Sequence, residues 1–100
     1  MVKHIIIWNL KESFTDAEKA EHKARIKEGL ESLQDKIDGL IDIRVYTDLL
    51  DSGNGDLVLM STFADEASLK GYQVHPAHVK VATEIVRPVV ACRKCVDFVE

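Results

Sequence analysis

The stretch Val2-Lys3-His4-Ile5-Ile6-Ile7-Trp8-Asn9 constrains the fold more than any other part of this chain. Consecutive β-branched isoleucines favour an extended backbone, so the segment predicts a strand. Side chains alternate across a strand, which places His4, Ile6 and Trp8 on one face and Lys3, Ile5 and Ile7 on the other. Both faces are apolar. Such a strand must be covered twice, so something has to pack on each side of it.

The remaining segments show what could do the covering. Thr15-Asp16-Ala17-Glu18 is a capping box that predicts a helix to about Ile37, with Ile26, Leu30, Leu33 and Ile37 as its apolar stripe and Gly39 just beyond its end. Leu40 to Leu50 reads as a second strand with Ile41, Ile43 and Val45 on one face. The turn formers of Asp51-Ser52-Gly53-Asn54-Gly55 reverse the chain into a third strand, Asp56 to Phe63, where Leu57, Leu59 and Phe63 share a face. Ala64 to Tyr72 predicts a short helix capped by Asp65. A further helix starts near Pro76 and ends or kinks at Pro88. Arg93 to Val99 reads as the fourth strand.

The order β-α-β-β-α-α-β predicts an α+β, ferredoxin-like fold with an antiparallel sheet and helices on one face only. One face of the first strand is then left bare. A homodimer whose two sheets face each other as a dimeric α/β barrel would cover it. One hundred residues without repeat or linker read as one domain, 1–100.

Composition excludes several classes. A net charge of −4, with basic residues interspersed among acids, argues against a nucleic-acid partner. No apolar run approaches the roughly 20 residues of a membrane span, and the start of the chain lacks a signal-peptide pattern, so a cytoplasmic protein is expected. Cys92-Arg93-Lys94-Cys95 falls in the predicted last strand, where residues three apart face opposite ways, so two isolated thiols are expected. No cofactor is nominated by the sequence, which has no phosphate-cradling glycine loop of the kind a flavin site uses.

Gly71-Tyr72-Gln73-Val74-His75-Pro76-Ala77-His78 gathers the proton-moving groups: a phenol and two imidazoles within seven residues. His75, just before Pro76, reads as a helix cap. A zinc site on His75 and His78 would need a third ligand that the sequence does not nominate, so no metal is expected. His22, on a charged helix, reads as solvent-exposed.

The opening Val2-Lys3-His4-Ile5-Ile6, the segment Tyr72…His75-Pro76-Ala77-His78-Val79 and the closing Val96-Asp97-Phe98 together resemble the stress-responsive α/β-barrel (Dabb) family over essentially the whole chain. The family comprises dimeric α+β barrels and includes plant stress-induced proteins and a plant polyketide cyclase, olivetolic acid cyclase. The resemblance implies that His78 is a general base, that Tyr72 orients it or holds a substrate carbonyl oxygen, and that His4 lies nearby. The expected pocket is lined by His4, Trp8, Leu59, Tyr72 and His78, with Ile26 and Cys95, the latter placed there by the resemblance, also expected to contact substrate. The cyclase has aromatic residues along its first helix where this chain has His22, Lys23 and Ile26, which implies a smaller or more polar pocket.

The expected function is therefore binding of a small carbonyl-bearing or aromatic metabolite, with proton transfer of cyclase, lyase or isomerase type. Two other classes stay open. One is a non-catalytic, stress-associated structural or ligand-binding protein. The other is a heme- or flavin-linked monooxygenase, as found among related dimeric barrels, and the missing glycine loop weakens its flavin version.

Overall fold

Pairing along both edges of the first strand organises the molecule. The computed structural model describes all 100 residues. Strands β1 (Val2–Leu10), β2 (Leu40–Tyr46), β3 (Leu57–Phe63) and β4 (Val90–Val99) form one sheet in the order β2-β3-β1-β4. Every neighbouring pair is antiparallel. Helices α1 (Asp16–Glu31), α2 (Glu66–Val74) and α3 (Pro76–Val81) complete a ferredoxin-like α+β fold. Val2, Ile6, Trp8 and Leu10 of β1 join Ile26 and Leu30 of α1, Leu57, Leu59 and Phe63 of β3, and Leu69 and Tyr72 of α2 in one core. Removing this apolar surface from water is the main force holding helices to sheet.

Local chemistry sets the ends of the helices. Thr15 Oγ1 accepts from the Glu18 amide at 3.2 Å while Glu18 Oε1 accepts from the Thr15 amide at 2.8 Å, completing the capping box of α1. Asp65 Oδ1 accepts from the Ser68 amide at 2.8 Å and starts α2. That helix runs two residues past Tyr72. It stops at Val74 because His75 precedes a proline and takes an extended conformation, φ −65° and ψ 132°.

Three further boundaries differ from expectation. First, α1 ends at Glu31 rather than near Ile37, yet Leu33 and Ile37 remain buried in the turns that follow. The early end frees Gln34 to reach β2: its Nε2 donates to the Ile41 carbonyl at 2.9 Å and its Oε1 accepts from the Ile43 amide at 3.1 Å. One turn earlier, Lys27 Nζ donates to the Val45 carbonyl at 2.8 Å and Glu31 Oε2 accepts from the Val45 amide at 2.9 Å. These side chains satisfy outward backbone groups of the edge strand. The chain then enters β2 through Gly39, whose φ of +83° and close approach to Ser68 leave no room for a Cβ.

Second, β2 stops at Tyr46 instead of Leu50. An irregularity between Leu40 and Asp42 changes its facing, so Leu40, Ile43 and Val45 are buried while Ile41 is 42 % exposed. Third, β4 begins at Val90, three residues before Arg93, because Val90 pairs with Leu10 across a register shift at Asn9. Before it, α3 continues directly into a π-helical turn, Ala82–Val86, closed by the Arg87 amide donating to the Ala82 carbonyl at 2.9 Å.

The other face of the sheet carries no helix. Ile5 lies between Met60 and Val96, and Lys3 between Thr62 and Phe98. Ile7, Met60, Val96 and Phe98 are all more than two-fifths exposed there. No helix is long and apolar enough to cross a membrane.

Candidate functional site

Residues three apart on α2 project to one side, and this brings Leu69 and Tyr72 down onto the sheet. The Tyr72 ring packs against Phe63, with centroids 5.0 Å apart, and edge-on to His4 at 6.1 Å. Its hydroxyl is buried without a hydrogen-bond partner. Burial pushes the phenol well above its ordinary pKa of 10, so at neutral pH it is a proton-bearing donor with nothing to donate to.

His75 and His78 separate at Pro76. The Ala77 amide donates to His75 Nδ1 at 3.1 Å, which makes His75 the N-cap of α3. His78, in the first turn, lays its half-buried ring against Tyr72 with centroids 4.2 Å apart. Its Nδ1 donates to the Gln73 carbonyl at 3.4 Å, leaving Nε2 as the acceptor of the neutral ring. Burial lowers the His78 pKa. The Gln73 bond opposes that shift, and the charges of His4, Arg87 and Arg93 reinforce it. The imidazole is thus held in its neutral, proton-accepting form.

A cavity of about 500 Å³ opens between sheet and helices, within the range of small-molecule sites. Its floor includes Ile6, Trp8 and Leu59 of the sheet, and Tyr72 and His78 lie on its helical wall. Of the residues expected there from sequence, Trp8, Leu59, Tyr72 and His78 share its walls. Ile26 does not: it is wholly enclosed in the core, where no ligand can touch it. His4 and Cys95 are not in the wall either. Sequence reasoning missed Ile6, Leu30, Ala82, Val86 and Val90, which complete the apolar lining, and the two arginines Arg87 and Arg93.

His4 belongs to a neighbouring cluster formed by strand register. It pairs across the ladder with Asp97, and its Nδ1 donates to Asp97 Oδ1. The Cys95 sulfur lies 3.6 Å from His4 Nδ1 and 3.5 Å from Asp97 Oδ1. Burial first, then the Asp97 charge, raises the Cys95 pKa. Nitrogen, sulfur and oxygen donors thus lie within 4.8 Å of one another, a set that could hold a zinc-like cation with three protein ligands. In the sequence Asp97 stands only within the closing Val96-Asp97-Phe98 segment; its pairing with a residue 93 positions away needs the sheet. Cys92 and Cys95 are both free and exposed, and His22 stacks on Phe14 at 4.5 Å rather than standing in solvent.

Comparison with known proteins matches this chain to a family. The model of the stress responsive A/B barrel domain matches residues 2–100. A dimeric ferredoxin-like protein of unknown function from Bacteroides fragilis is 30% identical, covering 97% of this chain and 93% of its own, with a TM-score of 0.89. A second dimeric ferredoxin-like protein of unknown function, from Thermobifida fusca, is 26% identical over 97% of this chain and 88% of its own, with a TM-score of 0.81. The hydroxynitrile lyase of Passiflora edulis shares the fold at 17% identity, a TM-score of 0.72, and 97% and 90% coverage. Among curated proteins no match is found.

Proposed function

The chain belongs to the stress-responsive A/B barrel family, and from that premise we propose that its cavity binds a small carbonyl compound on which Tyr72 and His78 move a proton. His78 Nε2 takes a proton from the carbon beside the carbonyl. The electron pair left behind moves onto the carbonyl oxygen, where the Tyr72 hydroxyl donates a hydrogen bond to the enolate. Return of the proton, or attack of the enolate carbon on a second carbonyl, completes an isomerisation or an aldol-type closure. His4, fixed by Asp97 and packed edge-on to the phenol, serves as a positioning residue.

The observation that carries this reading is the buried Tyr72 hydroxyl left without a partner beside a neutral imidazole on an apolar cavity wall. An unmet polar group of this kind costs about 1–3 kcal/mol, which a ligand oxygen would recover. The test is deuterium exchange at the α-carbon of phenylacetone in heavy water, followed by NMR. His78→Gln is expected to slow protein-catalysed exchange by about 10²–10⁴-fold, and Tyr72→Phe by about 10²–10³-fold. Tyr72→Phe should also leave the melting temperature unchanged or raise it by a few degrees. Binding of phenylacetone without any catalysed exchange would make the protein a non-catalytic binder.

The same reading includes a second copy of the chain on the helix-free face, where Ile5, Met60, Val96 and Phe98 would meet their equivalents. The similar proteins of B. fragilis and T. fusca, described as dimeric, support it.

A further inference from the structure

We propose that the cavity selects carboxylate-bearing ligands, 2-oxo acids in particular, and that Arg87 and Arg93 at its mouth hold the carboxylate. The proposal rests on the cavity being the ligand site and adds the class of ligand it takes. Permanent charge is distributed unusually around this space. The chain has 17 acidic and 13 basic residues, yet the only permanently charged groups on the cavity wall are these two arginines, with no carboxylate among them.

Neither guanidinium has a carboxylate partner inside the protein, and Arg93 engages only the thiol of Cys95, two residues along β4. The ion pairs of the molecule are His4–Asp97, Lys27–Glu31 and Arg44–Asp42, so both arginines face the cavity without an acidic partner. Arg93 reaches the rim from β4, across the ladder from Trp8. Arg87 arrives by a less ordinary route. In an uninterrupted α-helix the residue five beyond Ala82 would lie roughly 140° around the axis, turned away from it. The π turn instead bonds the Arg87 amide to the Ala82 carbonyl, stacking the two positions, and both line the cavity with Val86. π turns inside helices occur often at functional sites, and here the extra residue re-aims a cation.

The arrangement suits a molecule with a charged end and an apolar end. Two planar guanidiniums match the two oxygens of a carboxylate. A keto oxygen on the adjoining carbon would then point inward to Tyr72, and an aryl or alkyl tail would occupy the apolar floor of Trp8, Leu59 and Ile6. Both arginines also contribute to the depressed pKa of His78, which places their field at the reacting end of the cavity.

Phenylpyruvate and phenylacetone separate the possibilities, because they differ only in a carboxylate replacing a methyl group. Dissociation constants from NMR titration of the full chain are expected to favour phenylpyruvate by about tenfold or more at low salt, with the preference shrinking as salt rises. In the Arg87→Gln/Arg93→Gln double variant the ratio should fall close to one, with chemical-shift dispersion confirming the fold. Equal binding of the two compounds by the wild-type chain, or a preference that survives in the double variant, overturns the carboxylate proposal while leaving the cavity reading intact. Failure of both compounds to bind overturns the cavity reading as well.

Discussion

The two faces of β1 both carry isoleucines and meet opposite fates. On one, Val2, His4, Ile6, Trp8 and Leu10 are buried under the helices. On the other, Lys3 and Ile5 are half-covered and Ile7 is 42 % exposed. The covered face contains chemistry as well as packing, because the helices that seal it bring Tyr72 and His78 over the sheet and leave a cavity between. The bare face offers exposed apolar area from Ile7, Met60, Val96 and Phe98. A sheet can therefore divide its labour, with one surface shaped by the chain's own helices and the other left for a flat partner.

Three substitutions probe this division. Phe63, fully buried between Tyr72 and His4, is the strongest test of the covered face: Phe63→Ala should cost about 3–5 kcal/mol in chemical denaturation. An equal loss from Phe98→Ala in a monomeric background would mean that the two faces are not distinct in kind. Met60→Lys addresses the bare face, where Arg44 stands directly opposite Met60 and Lys3 lies one same-face pair along the ladder. Burying another cation against its own copy should convert a dimer into a monomer in size-exclusion chromatography at micromolar concentration, with little change in circular dichroism. A wild-type chain that already elutes as a monomer ends the pairing idea.

The smallest effect concerns His78. Its folded-state pKa lies below the ordinary 6.5, so between those two values the unfolded chain binds more protons than the folded one. Stability is then fully present above about pH 6.5 and declines as pH falls through that value towards the lower folded-state pKa. Melting curves from pH 8 to 5 should show this decline in the wild type and a shallower one in His78→Asn. An identical slope in the two proteins would mean that the ring is not held neutral by its surroundings.

Much of the fold was written locally. The alternation in β1, the capping box at Thr15, the Asp65 cap and the His75-Pro76 break each depend on residues within a few positions of one another, and each forms as the sequence implies. What escaped was encoded at longer range or outside regular periods. Leu33 and Ile37 keep helical spacing although the helix has ended, because the core accepts them from turns equally well. Ile41 faces outward because of an irregularity that strict alternation cannot express. Tyr72 and His78 were legible as a pair, six residues apart around a proline. The partnership of His4 with Asp97 depends on a register fixed only when β1 and β4 meet, and the placing of Arg87 depends on a π turn invisible to a 3.6-residue period.

The side chains of Lys27, Glu31 and Gln34 that clasp β2 also bear on how copies can accumulate. A sheet grows by strand addition only if both of its margins can accept a neighbour, just as a polymer needs two reactive ends on every unit. Here one margin is capped from within the chain. Addition along β4 therefore joins at most two chains into one continuous sheet, and that sheet can then grow no further from either margin.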